Sequence, residues 1–237
     1  MIIAQISDTH LFLPEPEDSQ RLRDLKLAIK MINLLDPQPD LIIHTGDISH
    51  NATEEEYLAA KELLDELKAP LFVIPGNRDR REMMGKVFAS NIGKSNQQPF
   101  IQYALDQWDT KIILLDTLDE GERLGTLCDK RLDDLAHILN ADKEKPTVIF
   151  MHHPPYDVNE APDPFQYDNR ETLEKLGKVL KNNQQIQGIY CGHSHRATTG
   201  SFCNINALTI PALSIDLRFG EFTESQKKKP VFYVHEI

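Results

Sequence analysis

The chain has 237 residues, 40% of them apolar, with 37 acidic against 26 basic side chains and a net charge of −11. That length suits one well-buried domain over 1–237, and an acidic surface repels phosphate backbones, which disfavours nucleic acid as a partner. Three cysteines without a CxxC pair speak for a reducing compartment, and no apolar stretch nears the ~20 residues of a membrane span, so a cytoplasmic protein without membrane contact is expected.

The first apolar run, "IIAQI" at 2–6, predicts a strand and stops at Ser7-Asp8-Thr9-His10. Leu22, Leu25, Ile29, Ile32 and Leu35 then fall on one helical face, and Asp36-Pro37 closes that helix. A second strand, "DLIIHT" at 40–45, runs into Gly46-Asp47; Thr53 and Glu56 read as a capping box for a helix striped by Tyr57, Ala60, Leu64 and Leu67. A third strand, "LFVI" at 71–74, ends in Pro-Gly76-Asn77-Arg78-Asp79. "FIQYAL" at 100–105 and "KIILL" at 111–115 predict a hairpin turning at Trp108-Asp109, and Leu132, Leu135, Ile138 and Leu139 a helix. "TVIFM" at 147–151 runs into His152-His153-Pro154-Pro155, a helix is marked by Leu173, Leu176, Val179 and Leu180, and "GIYC" at 188–191 ends in Gly192-His193-Ser194-His195. Continuous apolar strands alternating with amphipathic helices predict an α/β domain. After Thr198 short strands and turns replace helices, and this part is expected to complete a second sheet, with 199–237 able to serve as a cap or a dimerisation segment. The run Lys227-Lys228-Lys229 reads as a solvated turn.

In open α/β sheets ligands gather beyond the carboxyl ends of strands. Five strand ends carry Asp8, His10, Asp47, Asn77, His152, His193 and His195. Any one of these alone reads as a turn residue or a helix cap; together they read as metal ligands. Seven donors overcrowd one ion but suit two ions that share a carboxylate, and imidazole mixed with carboxylate favours first-row transition ions, Fe, Mn, Zn or Co. Such a pair activates water and clamps the oxygens of an in-line displacement, and phosphate esters match that chemistry. Glycines before Asp47, Asn77 and His193 are read as turns that bring the backbone close to the ions.

Asp8-x-His10, Gly46-Asp47, Gly76-Asn77-x-Asp79, His152-x-Pro154 and Gly192-His193-x-His195 resemble, in order and spacing, the calcineurin-like metallophosphoesterases, and within them the class III cyclic nucleotide and glycerophosphodiester phosphodiesterases. The resemblance implies a four-layer α/β/β/α sandwich with two divalent ions at the strand ends, one on Asp8, His10, Asp47 and His195, the other on Asp47, Asn77, His152 and His193. It implies hydrolysis of a small phosphodiester, a 3',5'-cyclic nucleotide such as cAMP or a glycerophosphodiester, by a hydroxide bridging the ions. His153 is expected in the loop or against substrate, and His50 in the pocket wall; His44 is read as a hydrogen-bonded core residue.

One position departs from the family pattern. Where the family carries His after Gly-Asn, this chain has Arg78. An imidazole can release a proton near neutral pH, whereas a guanidinium cannot; Arg78 can still hold phosphoryl oxygens through a forked pair of hydrogen bonds. The competing position for Arg78 is a salt bridge with Asp79 or Glu82. Catalytic roles therefore fall on Arg78, Asn77 and Asp47, and substrate contacts on Arg78, His153 and His50. The same ligands would also serve a phosphomonoesterase or a nucleotide pyrophosphohydrolase, and a non-catalytic scaffold would be expected to have lost some of them. Specificity is expected from loops 11–20, 156–168 and 211–229. Relatives in that branch often self-associate, which the resemblance extends to a homodimer of this chain.

Overall fold

The computed structural model describes residues 1–13, 19–94 and 99–237, so the acidic stretch 14–18 of the first specificity loop lies outside the described residues. The chain runs β1 (Ile2–Ile6), α1 (Gln20–Ile32), β2 (Leu41–His44), α2 (Glu54–Leu64), β3 (Leu71–Val73), α3 (Arg81–Val87), β4 (Tyr103–Leu105) and β5 (Lys111–Leu115). It continues through α4 (Asp129–Asn140), β6 (Thr147–Met151), α5 (Arg170–Leu180), β7 (Ile186–Cys191), β8 (Thr198–Phe202), β9 (Ile205–Thr209) and β10 (Tyr233–Glu236).

Two sheets form, one in the order β10-β1-β2-β3 and one in the order β4-β5-β6-β7-β9-β8. Within the first, β1, β2 and β3 are parallel, with Ile3 opposite Leu41 and Ile42 opposite Leu71. Within the second, β5, β6, β7 and β9 are parallel. The outer strands β10, β4 and β8 pair antiparallel. The hairpin read around Trp108 is present, with Tyr103 opposite Leu114.

Alternation along β5 and β6 sets the layers. Ile112, Leu114, Val148 and Phe150 join the core shared with the first sheet and with Leu25, Ile29, Tyr57 and Leu64 of α1 and α2. Ile113, Leu115, Ile149 and Met151 point the other way, into the core shared with Leu135 of α4 and Leu176 of α5. A strand projects successive side chains to opposite faces, so helices, two sheets and helices stack as four layers. The α/β/β/α expectation holds.

Local details differ from the sequence reading. α1 ends at Ile32 rather than Leu35, and Leu34 stands 71% exposed. Thr53 does accept the Glu56 N–H at 3.3 Å, but Glu56 does not return to Thr53. Its carboxylate instead takes the Ser49 hydroxyl at 2.5 Å and the Asn51 N–H at 2.8 Å. Half of the capping box is thus spent on pinning the loop after Asp47. α3 was not foreseen, because its seven residues bury only Met84 and are too short to show a period. The C-terminal part completes both sheets: β8 and β9 extend the second, and β10 crosses to the edge of the first. Between them Ser214 and Ile215 dock on the buried Asp24 of α1, donating to its carboxylate at 2.9 and 2.8 Å.

Candidate metal centre

Parallel strands share one carboxyl end, and the two sheets bring theirs to the same rim. Within the first sheet the loops are tied by Asp8 N–H to Gly46 O at 3.0 Å and His10 N–H to Asp47 O at 2.9 Å. Between sheets His193 N–H donates to Asp8 Oδ2 at 3.1 Å, Leu213 N–H to Ser7 O at 2.9 Å, and His152 Nδ1 to Thr45 O at 2.7 Å. Residues 185 apart in sequence are therefore locked side by side.

Asp8, His10, Asp47, His193 and His195 all carry a left-handed backbone, with φ between 43° and 69°. Non-glycine residues rarely adopt it, and each such residue costs on the order of 1–3 kcal/mol. Five strained positions among seven candidate ligands mark a place where side-chain direction outweighs backbone comfort. The three glycines play two different parts. Gly46, at φ 99°, is a true left-handed turn. Gly76 and Gly192 are there for space: a Cβ on Gly76 would collide with the Asp47 carboxylate and on Gly192 with the Ser7 side chain.

The seven side chains converge in two groups. Asp8, His10, Asp47 and His195 present ligand atoms within 4.8 Å of one another. His10 Nε2 and His195 Nε2 face each other at 3.1 Å, with Asp47 Oδ2 3.4 Å from the first and Asp8 Oδ1 3.3 Å from the second. In the other group Asn77 Oδ1 lies 3.1 Å from His152 Nε2 and 2.9 Å from His193 Nδ1. Asp47 reaches this group with its other oxygen, Oδ1, 3.7 Å from His152 Nε2. One carboxylate thus points an oxygen at each group.

The donor set fits divalent ions. Asp8 Oδ1 is buried with no hydrogen-bond partner among the described residues and faces His10 Nε2 and His195 Nε2 at 3.8 and 3.3 Å, an arrangement that a cation between them would satisfy. Burial pushes the His10, His152 and His193 imidazoles down, so they stay neutral with lone pairs available. Nδ1 of His152 donates to Thr45 O and Nδ1 of His195 to Leu217 O at 2.9 Å, which leaves each Nε2 facing inward. Burial and the neighbouring Asp8 carboxylate push Asp47 up to about 8, while histidines, His195 foremost, overcome burial to hold Asp8 below its usual range. Cations between these groups would return Asp47 to a carboxylate, the form Asp8 already holds.

Asp79 clamps the two loops together. Its carboxylate accepts from Asp47 N–H at 2.7 Å, Gly76 N–H at 2.9 Å, Ile48 N–H at 3.2 Å and Tyr57 Oη at 2.9 Å. That leaves it unavailable to Arg78, whose guanidinium makes no ion pair among the described residues and faces the cavity. The salt-bridged position for Arg78 is not adopted. His50 also lines that cavity, edge-on to His10 at 5.9 Å. His153 lies behind the His152 and His193 rings, 4.9 and 4.4 Å from them between centroids; fully buried, with Nδ1 2.8 Å from Thr117 Oγ1 and Nε2 3.1 Å from Arg123 O, it has no nitrogen left for substrate. His44 is the buried core residue expected, bonded to Thr9 Oγ1 at 3.1 Å.

Over the two groups opens a cavity of about 730 Å³. Arg78, Arg80, Arg123 and Arg196 line it, as do Ala161, Pro162 and Gln166 of the second specificity loop. The sequence reading missed Arg80, Arg123, Arg196 and the clamping role of Asp79; position beside a ligand was the available signal for Arg196.

The sequence model of the calcineurin-like phosphoesterase family matches residues 1–197. The chain belongs to that family. A relative from Arcobacter nitrofigilis named "Probable glycerophosphodiester phosphodiesterase GpdQ" is 31% identical, over 99% of this chain and 88% of its own length. The 3',5'-cyclic adenosine monophosphate phosphodiesterase CpdA of Vibrio vulnificus is 27% identical, over 91% of this chain and 77% of its own. Among solved structures a dimetal phosphatase from Danio rerio superposes with a TM-score of 0.71 at 15% identity, covering 90% of this chain and 87% of that one, a likeness of fold. Membership makes the chain a metal-dependent phosphoesterase, and no helix among the described residues is long and apolar enough to cross a membrane.

Proposed function

We propose that this calcineurin-like phosphoesterase hydrolyses a small-molecule phosphodiester at a dinuclear centre, with one ion on Asp8, His10, Asp47 and His195 and the other on Asp47, Asn77, His152 and His193. The observation that carries the reading is the convergence of seven donors from two sheets, Asp8, His10, Asp47 and His195 within 4.8 Å of one another and Asn77 between His152 and His193, with five of the seven on strained backbone. Phosphodiester hydrolysis is the reaction named for the relatives. Imidazole, carboxylate and amide oxygen together favour Fe, Mn, Zn or Co over Mg or Ca alone. When bound, two such ions supply an activated water and neutralise charge on a phosphoryl group.

The chain's own residues do the rest. Thr45 O and Leu217 O fix the tautomers of His152 and His195. Asp79 sets the distance between the Asp47 and Asn77 loops. Arg78, anchored by its N–H on Asp47 Oδ1 at 2.7 Å, extends its guanidinium beside Asn77 into the cavity. There it stabilises the charge that builds on the phosphoryl oxygens, and it donates hydrogen bonds without releasing a proton. The leaving group therefore takes its proton from water or from another group.

The test is metal analysis of the purified protein with a parallel assay on bis-p-nitrophenyl phosphate. About two transition ions per chain with turnover supports the reading; Asp47→Ala should lose both. Fewer than one ion per chain and no turnover would favour a scaffold that has kept the fold.

A further inference from the structure

The guanidinium of Arg196 and the ring of Phe219 form a stacked pair in the cavity wall, with Cζ 5.0 Å from the ring centroid. Their backbones are fixed. Arg196 N–H donates to Ser194 Oγ at 3.3 Å and its carbonyl accepts from Thr209 Oγ1 at 2.8 Å. Phe219 N–H donates to His195 O at 3.0 Å, and its ring lies 6.0 Å from that of His195. The loop carrying Phe219 is thus held against a proposed ligand, with α1 supporting it from behind: Arg21 donates to His10 O at 3.1 Å and to Asp216 at 3.1 Å.

The arginine of the pair has no carboxylate that accounts for it. Arg81, Arg123 and Arg170 are each paired with a carboxylate, Asp116, Asp163 and Asp157. The Arg196 guanidinium has none among the described residues, although the chain carries 37 acids to pair with it. Phe219 is 54% exposed, an apolar ring left in water at the mouth of a polar cavity. A planar cation stacked on an aromatic ring offers a flat, polarisable surface on which a nucleobase stacks. A glycerol group has no face to place there. The same cavity holds Arg78 beside Asn77 for the phosphoryl group.

We propose that Arg196, propped on Phe219, is a stacking shelf for a nucleobase and makes the site select nucleoside phosphodiesters over glycerophosphodiesters. The shelf rests on the phosphodiesterase reading above and adds the residues that choose the substrate. The experiment compares kcat/KM of the metal-loaded protein for 3',5'-cAMP and glycerophosphoethanolamine in the wild type, Arg196→Ala and Arg196→Lys. Calorimetric titration of AMP and of glycerol 3-phosphate supplies a readout independent of turnover. In Arg196→Ala the ratio of the two kcat/KM values should fall at least tenfold, chiefly through KM for cAMP, with AMP affinity falling in parallel. Arg196→Lys, which keeps the charge and loses the plane, should not restore the ratio. A ratio within twofold of the wild type in Arg196→Ala, or full restoration by Lys, overturns the shelf alone. A loaded wild type that cleaves neither ester overturns the phosphodiesterase reading and the shelf with it.

Discussion

Asp79→Asn is the sharpest probe of how the site is held. The carboxylate receives four short hydrogen bonds, from the N–H groups of Asp47, Gly76 and Ile48 and from the Tyr57 hydroxyl. Asparagine keeps the shape and one acceptor oxygen, but its NH₂ must face donors that already point inward. Asp47 N–H and Gly76 N–H converge on one oxygen, Oδ2, and Tyr57 Oη on the other, so either amide orientation strands at least one or two buried donors. Each stranded donor costs roughly 1–3 kcal/mol, and the bonds that survive lose their charge assistance. A stability loss of about 3 kcal/mol is expected, read as a lower urea midpoint at unchanged slope in metal-stripped protein. Because the same bonds set the spacing of Asp47 and Asn77, ion affinity by competition with a chromogenic chelator should fall roughly 10–100-fold. Tyr57→Phe removes a single bond and should cost about 1 kcal/mol. Asp79→Asn within 0.5 kcal/mol of wild type, with ion affinity unchanged, would refute the clamp.

Arg78→Ala should lower turnover on every phosphodiester by roughly 10²-fold, the scale of losing one charge-stabilising donor. Arg78→His should recover more activity on alkyl than on aryl leaving groups; unchanged kinetics in both variants would count against the phosphoryl-facing role. Burial drives His235 down to about 4, and it is neutral in the fold where it lies 2.9 Å from Gln5 Oε1. Since the unfolded chain takes up that proton near 6.5, its contribution is present above 6.5 and lost as pH falls toward 4, about 3 kcal/mol in all. The gain in stability between pH 4 and 6.5 should be smaller by that amount in His235→Asn, and equal gains would contradict the assignment. Among the thiols, burial raises Cys128 but hydrogen bonds from the Arg131 N–H and guanidinium outweigh it and lower its pKa, whereas burial raises both Cys203 and Cys191. Iodoacetamide should therefore modify Cys128 first and the fully buried Cys191 last, an order that peptide mass spectrometry resolves.

The strands were legible because parallel strands covered on both faces must be continuously apolar, as at Ile2–Ile6, Lys111–Leu115 and Thr147–Met151. The ligand positions were legible for a related reason: a metal donor placed immediately after such a run breaks the pattern. What holds the donors in place was not. Asp79 with Tyr57, Glu56 with Ser49, and Asp24 with Ser214 are tertiary pairs 22, 7 and 190 residues apart, and no local pattern announces them. The glycines were read through their backbone freedom, yet only Gly46 uses it, while the left-handed strain sits on the Asp and His ligands themselves. His153 shows the limit of a motif: its ring packs against the rings of His152 and His193, at 4.9 and 4.4 Å between centroids, yet both of its nitrogens are taken by Thr117 and Arg123.

Net charge misleads here in an instructive way. At −11 the exterior repels a long polyanion, whose charges meet the whole surface. A single phosphodiester feels mainly what lies within about a Debye length, ~8–10 Å, of its position. The cavity is lined by Arg78, Arg80, Arg123 and Arg196, with Asp47, Asp79 and Glu122 among the acids beside them. The field met by the small ester proposed above is therefore set by where the arginines sit and not by how many the chain contains. Arg78 and Arg196 matter most within it, because one stands beside Asn77 and the other directly follows His195, so each lies next to a proposed metal ligand.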